Sequence, residues 1–101
     1  IDFVKIDVEG MDLKVIRGFG DTLNRVRALQ FEYGVFNIAS RDLLADFYRY
    51  LTFHGFVVGK VFPSAVLFSD FSFDMENFHG SNYLAVKSDE SDLIAALSPG
   101  N

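Results

Sequence analysis

From Ile1 to Phe62 the chain alternates between short runs of β-branched and aromatic residues and stretches whose apolar residues recur at helical spacing. That alternation restricts the possible folds more than any other feature. Ile1 to Ile6 reads as a strand closed by Asp7-Val8-Glu9-Gly10, and Met11 to Arg17 as a helix burying Leu13 and Ile16 and stopped at Gly18. A short helical turn from Asp21 to Arg25 leads into a second strand, Ala28 to Tyr33. Ser40 is the expected N-cap of the next helix, with Asp42 in its first turn. That helix carries Leu43, Leu44, Phe47, Tyr48 and Leu51 on one face and ends at His54-Gly55. Phe56 to Phe62 and Asn82 to Lys87 complete four predicted strands. Strands separated by amphipathic helices imply right-handed crossovers, so the class is α/β, with the first three strands parallel and helices against the sheet.

Composition supports a packed core: half of the residues are hydrophobic and 16% are aromatic, too apolar for a disordered chain. No repeat, low-complexity tract or second unit interrupts residues 1–101, which read as one domain. The nine Lys and Arg are scattered among fourteen Asp and Glu, for a formal charge of −5. A nucleic-acid surface needs clustered cations, so no nucleic-acid partner is expected. There is no cysteine, which excludes disulfides and thiolate metal sites and is compatible with a reducing, cytoplasmic location. No apolar run is long enough to cross a bilayer, and Ile1 to Lys5 lacks the charged head and apolar middle of a signal peptide, so no membrane partner is expected.

In parallel α/β sheets ligands bind beyond the C-terminal ends of the strands. Asp7, Glu9 and Glu32 each lie at or just past such an end. Together they offer a polar site for a hydroxyl, a cation or a divalent metal. The alternative is that Glu9 merely favours the helix N-terminus beside it and Glu32 is a solvated strand end. Phe36 and Asn37 either line the same rim or form an ordinary loop. Lys5 can pack its stem while its ammonium reaches solvent. His54 stands at a helix end, where it favours the terminal carbonyls, and His79 precedes the last strand as a surface residue or a base at the rim. The stretch 63–81, with Phe68, Phe71, Phe73 and Phe78 among Asp70, Asp74 and Glu76, is a lid or contact surface, or a set of rings packed over the sheet.

"IDFVKIDVEGMDLKVIRGF" resembles the signature of FkbM-type S-adenosylmethionine-dependent methyltransferases, in which a strand ending Lys-Ile-Asp-x-Glu-Gly leads into a helix. "LQFEYG" at 29–34 and "NYLAVK" at 82–87 resemble later strands of that family. The resemblance implies a class I methyltransferase sheet of order 3-2-1-4-5-7-6 with an antiparallel last strand. The four strands here would correspond to its fourth to seventh, making the chain the C-terminal half of such a domain. The family's Gly-rich cofactor turn and ribose-binding acid would precede Ile1; Gly18-Phe19-Gly20 follows a helix and reads as a helix end. Methyl transfer to a sugar or other small-molecule hydroxyl is the implied activity, with Asp7 beside the S-adenosylmethionine methyl donor, Glu9 organising the site and Glu32 supporting it. The isolated chain is expected to bind the cofactor negligibly and to be inactive. Two other functions compete: a non-catalytic α/β interaction module and a carboxylate-based metal-dependent hydrolase. The unpaired edge of the first strand is expected to make the chain a homo-oligomer.

Overall fold

Alternate residues of one strand show how the sheet is built. Along Ala28–Tyr33 (β2), Leu29, Phe31 and Tyr33 are buried in the larger core, while Ala28 faces a second, smaller apolar cluster. Side chains alternate across a strand, so β2 is covered on both faces. The computed structural model describes residues 2–76 and 80–100, with Phe3–Lys5 as β1 and Asp12–Gly18 as α1. A 3-10 turn at Gly20–Arg25 leads to β2, followed by the short helix Phe36–Ser40 (α2) and Leu44–Phe53 (α3). Then come Phe56–Val61 (β3), Val66–Phe68 (β4), a 3-10 turn at Phe73–Met75, Ser81–Lys87 (β5) and Ser91–Leu97 (α4).

The strands form one five-stranded sheet of order β1-β2-β5-β3-β4. β1 pairs parallel to β2, with Val4 opposite Leu29, and the other three pairings are antiparallel. Because β5 runs against both β2 and β3, the first three strands share one direction, as expected from the sequence. The order β1-β2-β5-β3 is also the 4-5-7-6 order that the family resemblance implies. The expectation of four strands with a single antiparallel member is corrected. β3 turns through Pro63 and Ser64, closed by the Phe62 N–H to Ala65 carbonyl bond at 2.8 Å, into the antiparallel edge strand β4. Three residues following a proline carry too little periodicity to announce a strand, so the segment looked like part of a long connection.

One face of the sheet is packed by α1 and α3: Leu13, Ile16, Leu44, Phe47 and Leu51 are fully buried against Leu29, Phe31 and Tyr33. Phe31 lies flat on Phe47 at 4.4 Å between ring centroids, and Tyr33 meets Phe47 edge-on at 6.0 Å. Burying each such ring contributes about 1.5–3 kcal/mol. The other face carries Ala28, Leu84 and Val86 beneath Leu93, Ile94 and Leu97 of α4. Lys5 and Phe3 on edge strand β1 are exposed, and the Lys5 ammonium needs no internal partner. No helix among the described residues is long and apolar enough to cross a membrane.

The N-terminus of α3 departs from expectation. Ser40 ends α2 instead of capping α3, and Asp42 binds the Lys14 ammonium at 2.8 Å. Two other carboxylates serve the helix: Asp46 accepts the Leu43 N–H at 2.8 Å, and Glu76 accepts the Ala45 N–H at 2.9 Å and the Leu44 N–H at 3.3 Å. Glu76 also accepts the Tyr33 hydroxyl at 2.5 Å, and burial together with that bond raises the Tyr33 pKa. So, of the two expectations for this connection, ring packing holds for Phe68 and Phe71, which lie against the two apolar clusters together with Met75, although Phe73 is 91% exposed, and Glu76 makes the segment a clasp. Phe78 and His79 lie outside the described residues. Glu76→Ala should destabilise the fold by about 2–3 kcal/mol, because two helix-end N–H groups and a phenol lose a charged acceptor. Urea unfolding checks this; a change below about 0.5 kcal/mol would mean that water replaces the carboxylate without loss.

Candidate functional site at the strand ends

β1 leaves the sheet at Ile6, whose N–H still bonds the Gln30 carbonyl at 2.9 Å, and the chain then turns sharply through Asp7 to Met11. Glu9 sits in the left-handed region at φ 49° and Gly10 at φ 96°. For Glu9 that conformation costs roughly 1–2 kcal/mol, so something must hold it. The holder is Asp12, whose side chain is fully buried. One of its carboxylate oxygens accepts the Val8 N–H at 3.2 Å, and the other accepts the Glu32 N–H at 3.0 Å. A single side chain thus ties the turn after β1 to the end of β2. Burial raises the Asp12 pKa and the nearby Asp7 charge adds to the rise, against the two N–H groups that favour the carboxylate.

Gly10 completes the arrangement. A Cβ there would lie 2.7 Å from the Phe36 carbonyl oxygen, so the turn packs directly on α2. Beside it lies a cavity of about 80 Å³ lined by Gly10, Glu32, Gly34, Phe36, Asn37 and Gly80. Asn37 is 1% exposed; its N–H bonds the Gly34 carbonyl at 2.9 Å while its Oδ1 accepts the Gly34 N–H at 3.0 Å. Its Nδ2 has no partner among the described residues.

The three carboxylates singled out from sequence therefore share one rim in unequal roles. Asp7 and Glu9 are exposed on the turn, whereas Glu32 is half-buried and lines the cavity. Among the described residues no group of three or more His, Asp or Glu side chains could hold a metal ion. Phe36 and Asn37 line the rim rather than an ordinary loop. His54 ends α3, its backbone N–H on the Tyr50 and Leu51 carbonyls and its ring 4.4 Å from that of Tyr50. Since α3 runs back against the strands, that histidine stands at the opposite end of the sheet from the rim. The sequence reading missed Asp12. Its signal was positional: Asp12 is four residues before Ile16 and next to Leu13, on the helix stripe that faces the core.

The family model described as "Methyltransferase FkbM domain" matches residues 1–58, more than half of the chain. The chain belongs to the FkbM methyltransferase family. No curated protein and no solved structure matches it. The matched residues include Asp7, Glu9, Asp12, Glu32 and Asn37, while the "NYLAVK" strand lies beyond them.

Asp12→Ala should cost about 3 kcal/mol, because it strands two buried N–H groups, whereas Asp7→Ala at the exposed rim should change stability by less than about 0.5 kcal/mol. Folding raises the Asp12 pKa above its unfolded value of 3.8. The stability linked to its protonation is therefore complete below the unfolded value and is lost as pH rises through the folded one. Asp12→Asn lacks this contribution, so its urea midpoint should gain on the wild type over the range in which pH rises from the unfolded value of 3.8 through the folded one. A constant gap across that range would contradict the assignment.

Proposed function

We propose that this chain forms part of an S-adenosylmethionine-dependent O-methyltransferase acting on a small-molecule or sugar hydroxyl. The observation that carries the reading is the turn lashed by Asp12, which sets exposed Asp7 and Glu9 beside the Glu32 cavity within the residues matched to the family. The cofactor presents an ammonium and ribose hydroxyls, all hydrogen-bond donors, and the open carboxylates of Asp7 and Glu9 are acceptors of suitable charge. Asp7 would stand beside the cofactor and Glu9 would order the site. When bound, the cofactor supplies an electrophilic methyl group on sulfonium. The protein's own contribution is placement: an acceptor hydroxyl held at Glu32 is oriented for attack and has a carboxylate within reach of its proton. The open edge of β1, with Phe3 53% exposed, also supports pairing of two copies through that strand.

In the full-length protein Asp7→Asn should lower methyl transfer to the acceptor at least about tenfold while leaving the unfolding midpoint unchanged, since an exposed rim carboxylate contributes little to folding. Unaltered transfer, or a matching loss of stability, would remove Asp7 from the site. Light scattering of the chain over a dilution series checks the pairing: a monomer at every concentration rules it out.

A further inference from the structure

We infer that the face of α3 turned towards the end of α1 is a binding site for a small aromatic carboxylate, separate from the rim and independent of the methyl-transfer reading. Asp46, Arg49, Tyr50, Phe53 and His54 recur at helical spacing, so their side chains form one stripe along α3 and the residue that ends it. Arg17, in the last turn of α1, reaches across to that stripe: its guanidinium carbon lies 5.6 Å from the centre of the Tyr50 ring. The Tyr50 ring is in turn 4.4 Å from the imidazole of His54, and Phe53 meets that imidazole edge-on at 5.2 Å. These contacts gather cations and rings around one surface groove.

The hydrogen-bonding groups left over select an anion. Both Asp46 oxygens are engaged, Oδ2 by the Leu43 N–H at 2.8 Å and Oδ1 by Arg49 at 3.3 Å. The Arg17 guanidinium has no hydrogen bond or ion pair among the described residues, and Arg49, 76% exposed, meets Asp46 through one nitrogen. A guanidinium carries only donors, so a ligand must bring the acceptors. Two guanidiniums against one carboxylate leave one positive charge before the imidazole is counted, which suits a single carboxylate held by planar forks. Cations at helix ends also favour the terminal carbonyls, which accounts for Arg17 and His54 but not for Arg49 in the middle of α3. Nor does it account for Phe53, whose ring is 84% exposed and favours a flat apolar body against it. Because the last turn of α3 carries partial negative charge, the ligand carboxylate lies towards Arg49 and Arg17 and its ring towards Phe53. With a formal charge of −5 the chain as a whole does not gather anions, so binding here rests on local contacts.

The test is an NMR titration of the ¹⁵N-labelled chain with phenylacetate, compared with phenylacetamide, which lacks the charge, and acetate, which lacks the ring. The amide signals of Tyr50, Phe53 and His54 and the Arg17 Nε–H signal should shift saturably with phenylacetate, and each control should bind at least about fivefold more weakly. Arg17→Gln and Arg49→Gln should each cut the preference for phenylacetate over phenylacetamide to about twofold or less, and Phe53→Ala should do the same to the preference over acetate. All three side chains are exposed, so the variants should keep a native spectrum. Equal binding of phenylacetate and phenylacetamide, shifts confined to the rim, or an unchanged preference in Arg17→Gln would overturn the site. Tighter binding of phenyl phosphate than of phenylacetate would overturn the choice of a single negative charge. If Arg17→Gln does not fold, Arg49→Gln decides.

Discussion

The rim of this protein depends on one buried carboxylate. Asp12 is withdrawn from water, which disfavours its charge, yet both oxygens are occupied by N–H groups, one from the turn after β1 and one from the end of β2. Because Val8 is held, Glu9 can remain in the left-handed region and project outward. Because Glu32 is held by its own N–H, the end of β2 stays level with that turn. Gly10 then has room only to touch Phe36, which seats α2 and closes one wall of the cavity. The exposed carboxylates are therefore positioned by a residue that a ligand on the surface would not touch.

The same device recurs elsewhere. Glu76 crosses from the segment after β4 to the first turn of α3 and to the Tyr33 hydroxyl, and Asp42 holds Lys14 of α1. Asp46 adds a local bond at the α3 N-terminus. Helix starts expose N–H groups and carry partial positive charge, and the acids that meet them here act through geometry as much as through charge. Part of the acidic excess that argued against nucleic-acid binding is thus structural. Of the other acids, Asp7 and Glu9 stand open at the strand ends, where ligands of α/β sheets bind.

Elements with a strong local pattern were legible. β2 agrees at both ends, α1 is displaced by one residue, and Leu44, Phe47, Tyr48 and Leu51 form the buried face of α3 as periodicity indicated, whereas Leu43 precedes the helix and is exposed. Weak or short patterns were not. β4 has three residues after a proline turn, and α2 has five residues whose Phe36 and Ile38 stay exposed, so no buried face marks it. α4 does carry Leu93, Ile94 and Leu97 at helical spacing, but over barely two turns, and its role as cover for the second sheet face comes from Ala28, Leu84 and Val86 lying beneath it.

By itself the sequence determined the α/β class, the order of the main strands and helices, and the placing of Asp7, Glu9 and Glu32 at strand ends, because period and turn chemistry act over a few residues. Only the tertiary structure decided which N–H groups the buried carboxylates hold. Asp12 meets an N–H twenty residues away and Glu76 meets one thirty-one residues away. A partner at that distance leaves no local pattern, yet it makes one aspartate a buried tie and leaves its neighbour five positions earlier open to a ligand.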